Sequence, residues 1–578
     1  MNITLNNMKV TAEDGMTILD VAYANGVRIP QLCHIDMHKA DTVNRPGSCR
    51  ICMVEVEGRA NLMPACATKV WEGMVIKTTS PKAINARRTV MELLLSDHPK
   101  DCLSCERNLK CSLQYLATEM NIREDKYAGG KRVEHTKDTS SNSLIRDPNK
   151  CIMCRRCETM CNVVQTVGVY SAVHRSLEAR VSTAFDYPML DTNCTFCGQC
   201  LSVCPTAAIT QVSNIGEVWG AINDPEKFVV VQTAPAVRVA LGEEFGMDIG
   251  TRVTGKMVAA LRRMGFAKVY DTNFAADLTI MEEANELIHR IKNGGRLPML
   301  TSCCPAWVKF IEHKFPELLD VPSSCKSPHQ MFGVIAKTYL AEKLGVDPAK
   351  MVVVSIMPCI AKKYEASRAE LSNNGHADVD YVITTREMAA MLKEAGIRFK
   401  DLPDESFDEI MGESSGAGVI FGTTGGVIEA AVRTAAHILG DGNEEKVDFT
   451  ELRGMKGVRE ATITAGGMEL KIGIAHGLGN ARTLLENIRD GKSHYHAIEI
   501  MACPGGCVGG GGQPYHHNDI SVVEKRSKGL YAEDADKAVR CSHLNTEVKA
   551  LYDEYLGAPG GHKAHELLHT KYTKRSKM

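Results

Sequence analysis

Two copies of one cysteine pattern constrain this chain more than any other feature in it. Cys151, Cys154, Cys157 and Cys161 form a C-x2-C-x2-C-x3-C run, and Cys194, Cys197, Cys200 and Cys204 form a second that continues into Pro205. The other cysteines are grouped too: Cys33, Cys49, Cys52 and Cys66; then Cys102, Cys105 and Cys111 after His98; then Cys303 and Cys304; and later Cys359, Cys503 and Cys507. Of the 22, Cys325 and Cys541 stand alone and are expected to be packing residues. The N-terminus has no basic segment followed by an apolar run, and nowhere do 18 apolar residues follow one another. The sequence therefore predicts no secretory signal and no membrane span, with the cytoplasm as the default setting. Structural disulfides are uncommon in that reducing compartment, so grouped cysteines read as metal ligands.

At 578 residues the chain exceeds what one core can serve, so several domains are expected. A formal net charge of -2 gives no sign of a broad nucleic-acid-binding surface. The basic end, Lys571 to Lys577, reads as a solvated tail.

The paired runs resemble the bacterial two-cluster ferredoxin, in which the fourth cysteine of each run ligates the other [4Fe–4S] cluster. That resemblance assigns Cys151, Cys154, Cys157 and Cys204 to one cube and Cys194, Cys197, Cys200 and Cys161 to the second. Asn162 stands where proline would follow the first run, and the stretch between Cys161 and Cys194 reads as an insertion. Towards the N-terminus, Ile3-Thr-Leu and Met8-Lys-Val-Thr flank Asn6-Asn7, a hairpin turn signal, and Thr17 to Asn25 reads as a helix stopped by Gly26. The cysteines at 33, 49, 52 and 66 would suit tetrahedral zinc through their C-x2-C step. Their long, uneven flanking intervals on a β-rich frame resemble a plant-type [2Fe–2S] ferredoxin instead. Ser80-Pro81 opens a helix through about Ser96. His98-x3-Cys102-x2-Cys105-x5-Cys111 follows; one histidine and three cysteines also make a reasonable zinc site. The same order resembles a [4Fe–4S] site found in hydrogenases and respiratory NADH dehydrogenases.

After residue 220 strands and helices alternate. Phe228-Val-Val-Val-Gln, Lys268-Val-Tyr, Pro298-Met-Leu-Thr and Met351-Val-Val-Val-Ser read as strands, and Thr254 to Met264 and Ala275 to Lys292 as helices. Cys303, Cys304, Cys359 and Cys503 each follow a strand-like stretch, so they could converge beyond the carboxyl ends of a sheet. Thr301-Ser-Cys-Cys-Pro-Ala-Trp307, Met357-Pro-Cys-Ile-Ala-Lys-Lys-Tyr-Glu365 and Met501-Ala-Cys-Pro-Gly-Gly-Cys-Val-Gly-Gly-Gly-Gly-Gln-Pro514 stand in that order. They resemble the three signature stretches of [FeFe] (iron-only) hydrogenases of the multi-cluster type, clostridial or NAD(P)-linked, and the likeness covers nearly the whole chain.

The resemblance implies a reaction, 2 H+ + 2 e- = H2, at an H-cluster: a [4Fe–4S] cube joined to a diiron site carrying CO, cyanide and a dithiolate. It implies Cys304, Cys359, Cys503 and Cys507 as ligands of the cube, with Cys507 the bridge. It implies a proton route through Cys303, Glu283, Ser323 and Glu286, with Arg290 near its mouth; Glu283 and Glu286 share one helix face. Lys362 would pair with one cyanide, and Ser327 with the backbone at Ala234-Pro235 would contact the other. Met357, Met501 and Phe421 would wall the pocket, and Gly505-Gly506 with Gly509 to Gly512 would let backbone approach the cluster closely. His329 stands where some relatives carry glutamine. One [2Fe–2S], three accessory [4Fe–4S] clusters and one H-cluster are thus expected, wired to ferredoxin or to a flavin-containing NAD(P)H-linked subunit, with maturation proteins supplying the diiron site.

The expected fold is an α+β multidomain chain: a β-grasp [2Fe–2S] domain at 1–80, a histidine-ligated [4Fe–4S] domain at 81–140, a two-[4Fe–4S] ferredoxin domain at 141–220, and a two-lobed α/β catalytic domain at 221–532. An extension at 533–578 is expected to be a docking or surface segment, with His565 and His569 on a surface helix.

Overall fold

The computed structural model of the chain describes residues 1–35, 46–124, 126–127, 133–440, 447–465, 467–517 and 519–575. Its N-terminal sheet runs in the order Met8–Thr11, Asn2–Leu5, Val75–Lys77, Met53–Val56, Met63–Pro64. Asn6 and Asn7 both take positive φ, 46° and 69°, the backbone of a tight hairpin turn. Thr17 and Asp20 cap the helix Ile18–Ala24 reciprocally, and Ile18, Leu19, Val21 and Ala22 bury against Leu5, Val54 and Ile76. The helix Pro81–Ser96 begins on the Ser80 side chain, as the sequence signals. Its Met91 then packs with Leu32, Cys33, Cys49, Leu113, Leu116, Ile152 and Cys154 in one core. That shared core crosses the expected boundaries at 80 and 140, because no segment here is long enough to bury its own apolar surface.

The strands Leu144–Arg146 and Ile209–Gln211 pair antiparallel and clasp the two cysteine runs. The insertion between the runs folds as a hairpin, Ser171–Val173 against Arg180–Ser182.

The remaining chain carries two four-stranded sheets. The first orders Lys268–Asp271, Phe228–Thr233, Met351–Met357 and Tyr381–Thr384, all parallel. Its valine-rich strands lie buried between layers, as continuous apolar runs require. The second orders Met299–Leu300, Ala497–Met501, Met468–His476 and Val458–Ala465, antiparallel only in the last pair. The strand at Met299–Leu300 therefore belongs to a different sheet from Phe228 and Met351, and is two residues long rather than four. The helix Thr272–Lys292 starts three residues before Ala275, since Asp271 caps it by accepting from Asn273 N.

The expected boundary and the detached extension at the C-terminus are corrected. The division at 533 cuts through a helix, Ile520–Asp536. The segment beyond it is no detached extension: its last helix, His562–Leu568, keeps His562, Lys563, His565 and Glu566 exposed and buries Ala564, Leu567 and Leu568. Val548, Leu551, Leu556, Ala564, Leu567 and Leu568 join the core of the first sheet. The basic end is docked as well: Arg575 bonds Glu312 at 3.2 Å and Glu370 at 2.6 Å; residues 576–578 lie outside the described set. Among the described residues no helix is long and apolar enough to cross a membrane.

Candidate metal centres and active site

The structure gathers the predicted thiols into separate pockets. Cys33, Cys49, Cys52 and Cys66 are all buried; Cys52 and Cys66 sulfurs are 3.3 Å apart, and Cys33 reaches both Cys49 and Cys66. Four buried thiols within mutual reach cannot all find ordinary acceptors, so the set suits a bound metal group. Cys111 faces Cys105 and donates to Pro205 O at 3.5 Å, while Lys150 Nζ lies 3.6 Å from Cys105 sulfur. His98 follows the helix end at Asp97, and Cys102 is exposed on a single 3-10 turn.

One cavity is lined by Cys151, Cys154, Cys157 and Cys204 with Ile152, Val181 and Ile209. A second is lined by Cys161, Cys194, Cys197 and Cys200 with Leu144, Val167 and Tyr170. The exchange of fourth cysteines between the runs is thus built into the fold. Both cavities fit thiolate-held cubes: four sulfurs each on otherwise mostly apolar walls.

Cys304, Cys359, Cys503 and Cys507 come together where the carboxyl ends of both sheets face each other. Cys304 starts the helix Pro305–Lys314, Cys359 follows Met351–Met357, Cys503 follows Ala497–Met501, and Cys507 opens the turn Cys507–Gly509. Burial raises all four thiols, and mutual repulsion adds to it in three: Cys359, beside Cys304, is pushed up to about 12, Cys503 feels Cys359, Cys304 and Cys507, and Cys507 feels Cys359 and Cys304. Such a set is stable as neutral thiols or as thiolates on a cation. Cys503 also feels Cys197, so the second accessory cavity adjoins this one.

The glycines at this site are required by the protein's own packing. A Cβ on Gly509 would meet Pro504 O at 2.2 Å, one on Gly510 would meet Pro358 O at 2.2 Å, and one on Gly511 would meet Gly198 Cα at 2.9 Å. Gly505 and Gly506 take φ of +78° and +95°, where only glycine sits without strain. Each of these contacts is backbone against protein, and the Gly511–Gly198 contact seats the accessory domain on the catalytic one.

Beside the four thiols, Cys303 is half-buried and packs on the cluster that contains Phe421 and Met501. Its charged neighbour is Glu283. Glu283 accepts from Ser302 Oγ at 3.4 Å and is pushed up to about 7, by burial first and then by Glu286. Its other oxygen, Oε2, is buried with no hydrogen-bond partner among the described residues. Ser323 Oγ donates to Glu286 Oε2 at 3.1 Å, and Arg290 holds Glu286 from the exposed side. The predicted order Cys303, Glu283, Ser323, Glu286, Arg290 is therefore a spatial sequence as well.

Lys362 is buried and already paired. Its Nζ donates to Glu365 Oε2 and to Ser327 Oγ, both at 2.8 Å, and to Cys303 O at 3.1 Å. His329 Nδ1 lies 2.8 Å from the same Glu365 oxygen. Despite burial, Lys362 and His329 pull the Glu365 carboxyl down to about 2. Glu365 was missed as a functional residue; its i+3 position from Lys362 on the helix Ala361–Ala366 was the available signal. Ala234, Pro235, Met357, Phe421 and Met501 are buried, Met357 in the first sheet's core. Tyr572, also missed, donates to Ser323 O at 2.7 Å; no periodicity links residues so far apart in the chain.

Comparison with known proteins gives matches along the length. Family models match an iron only hydrogenase large subunit, C-terminal domain, over residues 227–511 and an iron hydrogenase small subunit over 520–575. Others match a 2Fe-2S iron-sulfur cluster binding domain over 1–81, an NADH-ubiquinone oxidoreductase-G iron-sulfur binding region over 87–126, and a 4Fe-4S dicluster domain over 150–208. The NADP-reducing hydrogenase subunit HndD of Solidesulfovibrio fructosivorans is 55% identical over 584 residues, covering 100% of both chains. Iron hydrogenase 1 of Clostridium pasteurianum is 40% identical, covering 99% of this chain and 100% of its own. A solved [FeFe]-hydrogenase, HydA1 from Chlamydomonas reinhardtii, superposes with a TM-score of 0.57 at 42% identity, covering 63% of this chain and 99% of its own.

Proposed function

The chain belongs to the [FeFe] hydrogenases, and from that premise we propose which of its residues hold the clusters, carry the proton and pass on the electrons. The enzyme interconverts protons and electrons with hydrogen, and its iron–sulfur domains relay the electrons. The observation that carries the residue assignment is the convergence of Cys304, Cys359, Cys503 and Cys507 beside a Cys303–Glu283–Ser323–Glu286 file.

Cys304, Cys359, Cys503 and Cys507 would hold the cube of the H-cluster, with Cys507 as the bridge to its diiron part. When bound, that group supplies the redox-active metal and the amine base at which hydrogen is split. The chain's own residues do the rest. Phe421, Met501 and Met357 keep water from the pocket. Lys362 presents an ammonium held by Glu365 and Ser327 that would pair with one cyanide of the bound group, and Ser327 with the backbone at Ala234 and Pro235 would contact the other. Cys303 takes the proton first; Glu283, poised near neutrality, receives it and Ser323 hands it to Glu286. Arg290 keeps Glu286 oriented where the route meets solvent.

On the electron side, the ligands would be Cys33, Cys49, Cys52 and Cys66 for one [2Fe–2S] cluster. His98, Cys102, Cys105 and Cys111 would hold the first of three [4Fe–4S] clusters, and the two exchanged cysteine sets the others. The β-grasp, histidine-ligated and two-cluster divisions near 80, 140 and 220 follow that assignment, with a catalytic unit that continues through the C-terminal segment. The far end would meet ferredoxin or a flavin-containing NAD(P)H-linked subunit, a reading supported by the printed name of the 55% identical relative. Maturation proteins and a cytoplasmic setting belong to the same proposal.

Anaerobic purification after co-production with maturation proteins tests it: hydrogen evolution from reduced viologen, with CO and cyanide infrared bands, is expected. Absence of both would overturn the assignment. Co-purification of a flavin-containing subunit, compared with direct turnover by ferredoxin, decides the electron partner.

A further inference from the structure

The C-terminal segment brings a third ligand type to the outer end of the proton file. Cys325 sulfur lies 3.9 Å from Glu286 Oε2. His569 Nδ1 lies 2.8 Å from Ser324 Oγ, which donates to the same Glu286 oxygen at 3.0 Å. One donor atom from each of Glu286, Cys325 and His569 falls within 4.8 Å of the others. Thiolate, imidazole and carboxylate around one point are a zinc donor set. Ligand lengths of about 2.0–2.3 Å put tetrahedral neighbours roughly 3.3–3.8 Å apart, so small side-chain movements suffice.

The histidine is also prepared from behind. Its Nε2 lies 3.0 Å from Glu282 Oε2, a buried carboxylate that Tyr552 and Gly560 N hold in place. A carboxylate on one ring nitrogen fixes the tautomer that leaves the other nitrogen free for a metal. Ser302, Cys325, Thr570 and Tyr572 line a cavity alongside, which offers room for a water as fourth ligand.

We propose that Glu286, Cys325 and His569 form a site for a zinc-class divalent cation, and that its occupation closes the proton route. Binding displaces the Ser324 hydroxyl from between Glu286 and His569 and releases the Cys325 proton to solvent. The cation then occupies the Glu286 oxygen to which Ser323 donates. Turnover stops although every cluster stays reduced or oxidised as before. The inhibitory consequence rests on the proton route proposed above; the metal site itself does not.

The test titrates zinc chloride into the holoenzyme in chelator-free anaerobic buffer while hydrogen evolution from reduced viologen is followed. Inhibition saturating at one zinc per chain and reversed by EDTA is expected. Cys325→Ala should evolve hydrogen normally without zinc. It and His569→Phe should each weaken inhibition at least tenfold, since even the partners behind a metal's ligands are worth about that much. Zinc-edge X-ray absorption on the same sample should find one sulfur at about 2.3 Å with nitrogen or oxygen at about 2.0–2.1 Å. Cys303→Ser separates Cys325 from the other non-ligand thiol of the proton file: the sulfur should persist in it. Unchanged zinc sensitivity in both site variants, a zinc without sulfur, or sulfur lost with Cys303 would each overturn the site. Zinc binding as described with turnover left intact would refute the proton route and leave the site standing.

Discussion

Glu283 is a carboxyl in a place that disfavours its charge. With its titration raised from the usual carboxylate range to about 7, protonated Glu283 stabilises the fold fully below about pH 4.5. That contribution fades as pH rises to about 7, and above it the buried carboxylate costs about 3 kcal/mol. Glu283→Gln should therefore flatten denaturant stability between pH 4.5 and 7 relative to the parent, while hydrogen evolution falls at least a hundredfold. An unaltered pH slope would show that Glu283 is charged throughout. Cys303→Ala should keep the cluster spectra and lose most turnover; full activity would remove it from the route. Lys362→Met presents the opposite case, leaving Glu365 buried without its ammonium. A loss of about 3–5 kcal/mol is expected from equilibrium unfolding of the cluster-free protein, because removing one partner strands the other. Lys362 and Glu365 both stand in one motif, but only Lys362 was given a role, since a carboxylate three residues on reads in sequence as one more charged residue on a helix.

At the scale of elements, local signals served well where they act locally. Asn6-Asn7, Ser80-Pro81 and the stretch Thr17 to Asn25 stopped by Gly26 each predict an element that forms at or within a residue of its expected bounds. What sequence could not reveal is which strands share a sheet: Met299–Leu300 and Phe228–Thr233 look alike as apolar runs, yet they join different sheets. The last helix, His562–Leu568, forms with the exposed face expected, but its docking on the first sheet's core was hidden for a related reason. Its polar residues His562, Lys563, His565 and Glu566 suggest a solvated face, while Ala564, Leu567 and Leu568 supply a narrow buried stripe. Removing residues 562–578 should accordingly lower the melting temperature and cut turnover. The loss takes Tyr572 from Ser323, His569 from Glu282 and Arg575 from Glu312. A truncated chain that melts and turns over like the full one would make the segment dispensable.

Across the whole molecule, two N-terminal thiol pockets converge on the Cys151–Cys204 cavity, and the second cavity adjoins the catalytic thiols. Arg156 sits among Cys33, Cys49, Cys154 and Cys204; Cys111 meets Pro205; and Cys197 adjoins Cys503. The cysteine spacing made the pockets legible one by one. Their sequence in space was not, because it depends on shared cores that join segments a hundred residues apart. One tight joint is Gly511 against Gly198, where a Cβ on Gly511 would meet the Gly198 backbone at 2.8 Å. Gly511→Ala should leave both cavities loaded with iron and sulfide. It should slow the reoxidation of the accessory clusters by protons, read by rapid-mixing absorbance, while the diiron infrared bands stay in place. Electron tunnelling falls exponentially with separation, so the hydrogen that Gly511 carries in place of a methyl group would act as a gap gauge between wire and catalyst.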